Sequence, residues 1–167
     1  CFEDQCNEAI AKLVVIEKNS IRYCTGTLIK GNQILTSASC LPSASRISHL
    51  KCSNESNLNI YAIFPQTVFA PAKIASCDKV EFTNHNTNPN PSLWKADIAV
   101  ISLKENIERK ATKFSRSGIT SKTKISAWTV NYKTDFLGEL KKEKCEVLFD
   151  TYLNPFSKGR YSPMLVM

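Results

Sequence analysis

Histidine is scarce in this sequence, and its scarcity limits the chemistry that the chain can perform. Only His49 and His85 occur among the 167 residues, and the seven cysteines include no C-x-x-C pair. Structural zinc sites are built from clustered cysteine and histidine ligands. We therefore expect no zinc site, no other metal and no cofactor.

Long apolar runs are also missing. No stretch approaches the roughly 18 consecutive apolar residues that predict a transmembrane helix, so we expect no membrane partner. The chain opens Cys-Phe-Glu-Asp without a secretory leader, as in a protein whose leader has been removed. No long segment keeps the 3.6-residue periodicity of an amphipathic helix, and no internal repeat is evident.

Positive charge is in excess but is not concentrated. The formal net charge is +7, and in the densest cluster, Lys141-Lys142-Glu143-Lys144, a glutamate interrupts the lysines. A spread of this kind favours solubility and weak attraction to anions. Because no aromatic–basic module accompanies the charge, we expect no nucleic-acid partner.

Cysteine, by contrast, is plentiful. Seven cysteines in a chain of this size fit an oxidising compartment, so we expect a secreted or periplasmic protein. The odd number leaves one cysteine that is either free or paired with a segment outside this chain. Asn54-Glu55-Ser56 is a glycosylation sequon, which matters only in a host that glycosylates.

Short β-branched and apolar segments separated by turn residues predict an all-β sandwich or barrel. Residues 83–93 are expected to be a polar loop and 104–118 a connector between two lobes. The final residues 163–167 look like an apolar strand, which suggests a longer polypeptide. The predicted strands are residues 13–16, 27–29, 33–38, 59–64, 67–69, 97–103, 124–130 and 145–149.

One block carries a family resemblance. Residues 24–40 read C-T-G-T-L-I-K-G-N-Q-I-L-T-S-A-S-C, which resembles the C-G-G-S-L-I…W-V-L-T-A-A-H-C block of trypsin/chymotrypsin-family serine proteases. Residues 97–100, D-I-A-V, resemble that family's D-I-A-L. Two weaker matches are Ala127-Trp128-Thr129, at the family's G-W-G, and residues 11–16, at its opening strand.

The resemblance implies a trypsin-like double β-barrel that is incomplete in this chain. Residues 1–112 would form the first β-barrel, and residues 113–167 would begin the second, without its C-terminal part. It also implies a disulfide between Cys24 and Cys40. Cys52 and Cys77 are the next two cysteines of the first lobe, and we expect them to pair as well.

The resemblance also assigns positions to a catalytic triad. Asp97 matches the family aspartate that orients the catalytic histidine, but Ser39 stands where that histidine belongs. We expect Asp97 to be buried and hydrogen-bonded close to Ser39, Trp128 to belong to the core, and His85 to be solvated in the polar loop. An alcohol is a very weak base near neutrality, so Ser39 cannot replace an imidazole.

Two further family features are missing from these residues. They contain no G-D-S-G-G segment to carry the nucleophile, and no I-V-G-G opening for zymogen activation. The leading hypothesis is a secreted, inactive protease homologue that acts by binding a protein partner or its own missing C-terminal segment. The alternatives are the large fragment of a trypsin-like endopeptidase, and a β-barrel adhesin or inhibitor that shares only a local pattern.

Overall fold

The computed structural model describes residues 7–18, 20–53, 56–85, 97–113, 124–131 and 139–146, and within these ranges the chain is built almost entirely of antiparallel strands. The strands are β1 (Ile10–Glu17), β2 (Ser20–Lys30), β3 (Gln33–Thr36), β4 (Leu50–Lys51), β5 (Leu58–Phe64), β6 (Lys73–His85), β7 (Asp97–Leu103), β8 (Lys124–Asn131) and β9 (Glu139–Glu146). Two short 3₁₀ turns, η1 (Ala38–Cys40) and η2 (Ser43–Ser45), lie between β3 and β4.

Six of these strands close into a β-barrel. The order around the barrel is β6-β5-β1-β2-β3-β7, and the β6–β7 ladder completes the circle, while β4 pairs with one part of β6. Closure gives each barrel strand a partner on both sides and removes the open sheet edges that invite aggregation. The predicted all-β class and a β-barrel are confirmed.

The barrel interior is filled by residues that alternate along each strand, as the two-residue period of a β-strand requires. On β1 these residues include Leu13 and Val15, on β5 Ile60 and Phe64, and on β7 Ile101, all almost completely buried. The residues on the opposite face of β1 are also largely buried, and β8 contacts this strand. Lys12 on that face is only 3% exposed, and its ammonium lies 4.9 Å from the ring centroid of Tyr23.

Two disulfides join the strands to the connections between them. Cys24 of β2 is bonded to Cys40 of η1, and Cys52 is bonded to Cys77 of β6. Both predicted pairs are therefore present. The question of the unpaired seventh cysteine falls outside the described side chains.

Several strand predictions fail. β4 was not predicted, and residues 37–38 of the predicted strand 33–38 lie beyond the end of β3. The predicted strand 145–149 overlaps β9 only at residues 145–146, and residues 147–149 lie outside the described ranges. Residues 67–69 are not a strand, because the Thr67 hydroxyl accepts hydrogen bonds from the backbone N–H groups of Phe69 and Ala70 and folds the segment into a turn. β6 was not predicted, and it continues through residues 83–85, which were expected to be a loop. Charged residues interrupt the apolar–polar alternation that would predict β6 from the sequence. The strand is evident only from its pairing with β4, β5 and β7.

Other expectations concern parts of the chain beyond the described ranges. Residues 86–93 of the polar loop, 114–118 of the connector and the apolar strand at 163–167 all lie outside them. Of the region expected to begin a second barrel, the described part is the two-stranded β8–β9 ladder. Within the described residues no helix is long and apolar enough to span a bilayer.

Candidate functional site

The Asp97 carboxylate is the centre of a polar cluster at one end of the barrel. Asp97 is the first residue of β7, and Ser37 and Ser39 lie in the segment that leaves β3 and enters η1. β3 and β7 are neighbouring antiparallel strands, with Thr36 paired to Ala99. The end of β3 and the start of β7 therefore meet, which brings together residues that are about sixty positions apart in the sequence.

Both carboxylate oxygens of Asp97 accept hydrogen bonds from this turn. The Ser39 backbone N–H donates to Oδ1 at 2.7 Å, and the Ser39 hydroxyl donates to Oδ2 at 2.9 Å. The Ser37 hydroxyl donates to the same Oδ2. The two hydroxyl oxygens lie 2.7 Å from each other. We name Ser37, Ser39 and Asp97 the Asp97 cluster.

Core packing, a disulfide and two hydrogen bonds from Arg46 hold the turn that supplies these donors. Ala38 is completely buried, and Cys40 is bonded to β2 through its disulfide. The Arg46 Nε–H donates to the carbonyl oxygens of Ala38 and Leu41, at 3.1 and 3.0 Å. These contacts fix the backbone of η1, so the Ser39 amide is directed at Asp97 by the fold.

The predicted contact between Asp97 and Ser39 is confirmed, but the prediction that Asp97 is buried is wrong. Asp97 and Ser39 are exposed, and Ser37 is half-buried. The physical reason is position along the strand: Asp97 begins β7 at the open end of the barrel, whereas Ala99 and Ile101, farther along the same inward-facing row, are completely buried. Sequence analysis identified Asp97 and Ser39 but missed Ser37, which resembles no catalytic position.

The expected loop position of His85 is wrong, whereas no position was predicted for His49. His85 is the last residue of β6 instead of a loop residue, and its backbone is paired with that of Asp97. His49 has a positive φ of 65°, and its Nδ1 lies 3.8 Å from the Glu81 carboxylate. The pKa of Glu81 is lowered from its ordinary value, first by the hydrogen bond from Ser102 and then by Lys79.

The Asp97 cluster can accept and donate hydrogen bonds, but it contains no group that takes up a proton near neutrality. The cluster contains no imidazole, the side chain best suited to proton transfer near neutrality, and a serine hydroxyl is a very weak base. Among the described residues, no group of three or more histidine, cysteine, aspartate or glutamate side chains is arranged to hold a metal ion.

A second concave feature lies between the barrel and the β8–β9 hairpin. This cleft has a volume of about 900 Å³, and Trp128 is one of its lining residues. Trp128 is half-buried, and the Lys142 ammonium lies 5.4 Å from its ring centroid. The expectation that Trp128 belongs to the core is therefore wrong.

The fold and the Asp97 cluster define a disulfide-linked antiparallel β-barrel protein with a hydrogen-bonded carboxylate at one end of the barrel. No protein-family model matches the chain, and no curated protein is significantly similar to it. The trypsin-like assignment therefore depends on the motifs in the sequence alone.

Proposed function

We propose that this protein is a secreted, trypsin-like serine protease homologue that is inactive as a peptidase and works by binding another protein. The observation that carries the proposal is the pair of hydrogen bonds from Ser39 to Asp97. In the family that the sequence resembles, that aspartate orients a histidine, and here a serine backbone and side chain take up both of its oxygens.

Loss of the histidine removes the proton transfer on which the reaction depends. A serine nucleophile needs a base within about 3 Å to accept its proton. Triad members act as a unit, so the loss of one removes most of the rate. The two disulfides fit the proposed secretion, because such bonds persist in oxidising compartments.

The position of Ser39 can be tested without any assay of activity. If Asp97 lies where a triad aspartate lies, the imidazole introduced by Ser39→His should bond to its carboxylate. NMR titration should then give a pKa about one unit above the ordinary histidine value of roughly 6.5. The double variant Ser39→His/Asp97→Asn is the matched control, and its introduced imidazole should titrate normally.

An ordinary pKa in the single variant would remove the support for the family placement. Inactivity is tested separately, with a broad fluorogenic peptide set and an active-serine phosphonate probe. We expect neither turnover nor labelling by this chain or by Ser39→His. Turnover or labelling by either protein would contradict the proposal and would favour the alternative of a trypsin-like endopeptidase.

A further inference from the structure

The cleft between the barrel and the β8–β9 hairpin is separate from the Asp97 cluster, since none of Ser37, Ser39 and Asp97 lines it. Its wall combines aromatic rings with positive charge. The lining residues that matter here are Glu8, Phe69, Lys110, Lys113, Trp128 and Lys142.

Contacts within the protein itself hold the turn that carries Phe69. The Arg109 guanidinium donates to the carbonyl oxygens of Pro65, at 3.0 Å, and of Pro71, at the two ends of the turn. The same guanidinium lies over the Phe64 ring, 5.3 Å from its centroid. Phe69 itself is 65% exposed, so a large apolar side chain is presented to solvent on a fixed backbone.

The part of the connector backbone that carries Lys110 and Lys113 is held in a similar way. The Ile107 N–H donates to the Gly31 carbonyl at 2.6 Å, and the Thr112 N–H donates to the Leu28 carbonyl at 2.8 Å. Ala111 packs against the barrel core. Lys110 and Lys113 are both exposed, with Ala111 and Thr112 between them and Ile107 on the N-terminal side of Lys110.

The hairpin presents its own charged and aromatic face to the cleft. Trp128 is paired with Lys142, and Ser126 is paired with Lys144, so these four residues share one face of the β8–β9 ladder. Ser126, Trp128 and Lys142 line the cleft. The Lys142 ammonium lies over the Trp128 ring, so these two side chains form one aromatic and cationic part of the cleft wall.

We propose that this cleft binds an acidic peptide segment of a partner protein, one that places a large apolar side chain against Phe69 and Trp128. Among the described residues that line the cleft, three are lysines and one is a carboxylate, Glu8, which accepts a hydrogen bond from the Thr67 hydroxyl at 3.4 Å. The positive charge favours an anionic ligand, and the exposed Phe69 ring beside Trp128 offers apolar surface to a large side chain of a peptide.

This inference rests on the proposal that the protein works by binding, but its test does not involve proteolysis. The probe is a fluorescein-labelled peptide with glutamates on both sides of one phenylalanine, followed by fluorescence anisotropy. Two control peptides replace the phenylalanine with serine or the glutamates with lysine. We expect saturable binding of the first peptide alone, weakening as salt is raised, because exposed charges are screened.

Variants locate the binding to the cleft. Lys110→Glu and Lys113→Glu should each weaken binding by roughly fivefold, and Trp128→Ala by about tenfold, as for an aromatic anchor. Lys51→Glu changes the net charge equally but lies on exposed β4, so it should leave the affinity unchanged. Each variant is checked for an unchanged near-ultraviolet circular dichroism spectrum and melting temperature.

Three results would overturn the inference: no saturable binding, equal weakening by Lys51→Glu, or displacement of the peptide by a sulfated oligosaccharide that binds more tightly than it does. Any of them could occur while the chain stays inactive as a peptidase. Conversely, proteolytic activity would refute the proposed function without affecting the peptide titration.

Discussion

At the scale of single residues, Asp97 shows how an exposed polar group can be well bonded and yet contribute little to stability. Its carboxylate accepts hydrogen bonds from Ser37, from the Ser39 hydroxyl and from the Ser39 amide. Because Asp97 and Ser39 are exposed and Ser37 is half-buried, water can reach these donors when the carboxylate is removed. Truncation should therefore leave none of these donors stranded without a partner.

We accordingly expect Asp97→Ala to lower the free energy of unfolding by only about 0.5–1 kcal/mol, instead of the roughly 1–3 kcal/mol that stranding a buried donor costs. Urea denaturation measures this difference, with Asp97→Asn as the isosteric control. A loss above about 2 kcal/mol would show that the cluster is closed to solvent.

Glu81 provides a pH-dependent prediction at the same scale. The hydrogen bond from Ser102, at 2.7 Å, and the Lys79 ammonium, at 3.2 Å, lower the pKa of Glu81 in the folded protein. A lowered folded-state pKa means that its stabilising contribution is present above the ordinary glutamate pKa of about 4.3 and is lost as the pH falls through the folded value.

Replacing the donor should therefore move the pKa of Glu81 up. In Ser102→Ala we expect the Glu81 carboxyl to titrate closer to the ordinary glutamate value than in the parent protein, as followed by carbon-detected NMR. Ser76→Ala, on the same strand as Glu81, is the control and should leave the titration unchanged. An unchanged Glu81 titration in Ser102→Ala would assign the shift to Lys79 instead.

At the scale of the strands, Gly26 of β2 is required by close packing inside the barrel. A Cβ atom at this position would lie 2.6 Å from Ile34 Cγ2 and 3.0 Å from Leu13 Cδ1. Both side chains are completely buried, so neither can move away freely. Barrel strands β1, β2 and β3 can approach one another here only because residue 26 has no side chain.

We expect Gly26→Ala to destabilise the protein by about 1–3 kcal/mol, the usual cost of overpacking a core. Gly31→Ala is the matched control, since its Cβ would meet only the Asn106 side chain, at 3.2 Å, and Asn106 is exposed and able to move. Equal melting temperatures for the two variants would argue against this packing.

The Cys24–Cys40 disulfide connects β2 to the turn that carries Ser39. Closing a loop of this length stabilises a protein by roughly 3 kcal/mol in the chain-entropy model. The paired variant Cys24→Ala/Cys40→Ala should lose about that much in chemical denaturation. Because Arg46 also holds the turn, we expect the Ser39 amide to stay bonded to Asp97, which its NMR chemical shift would report.

At the scale of the whole molecule, the barrel and the β8–β9 ladder differ in how they are supported. Strand β1 is paired with β2 on one side and with β5 on the other, and both of its faces are buried. The β8–β9 ladder is two-stranded within the described residues. Isolated two-stranded ladders are marginal in water, so the contact of β8 with β1 should contribute to the stability of this one.

Native-state hydrogen exchange should reveal this difference. Backbone amides of β1 and β5 are expected to exchange only through global unfolding, whereas those of β8 and β9 should exchange through an opening of lower free energy. The slowest amides should disappear together as denaturant is added. Equal protection in the hairpin and the barrel would mean that the two unfold as one unit.

The sequence alone determined the strand class, β7 with the bounds it has in the structure, and both disulfide pairs. The alternation in residues 97–103 is local, and the Cys24–Cys40 pair follows from the family resemblance. The Cys52–Cys77 pair was predicted only from the order of the cysteines along the chain. The contact between Asp97 and Ser39 was also predicted from the sequence. The prediction came from the family resemblance, because the spacing of the two residues in the sequence does not indicate that they meet.

Only the tertiary structure decided the rest. β6 forms because its neighbours complete its hydrogen bonds, and local propensity at Asp78, Lys79 and Glu81 gave no signal of it. The exposure of Asp97 depends on where β7 begins relative to the end of the barrel. The cleft also depends on the folded structure. Its lysines and aromatic residues come from segments that are distant in the sequence, and they form one surface only when the β8–β9 ladder faces the connector.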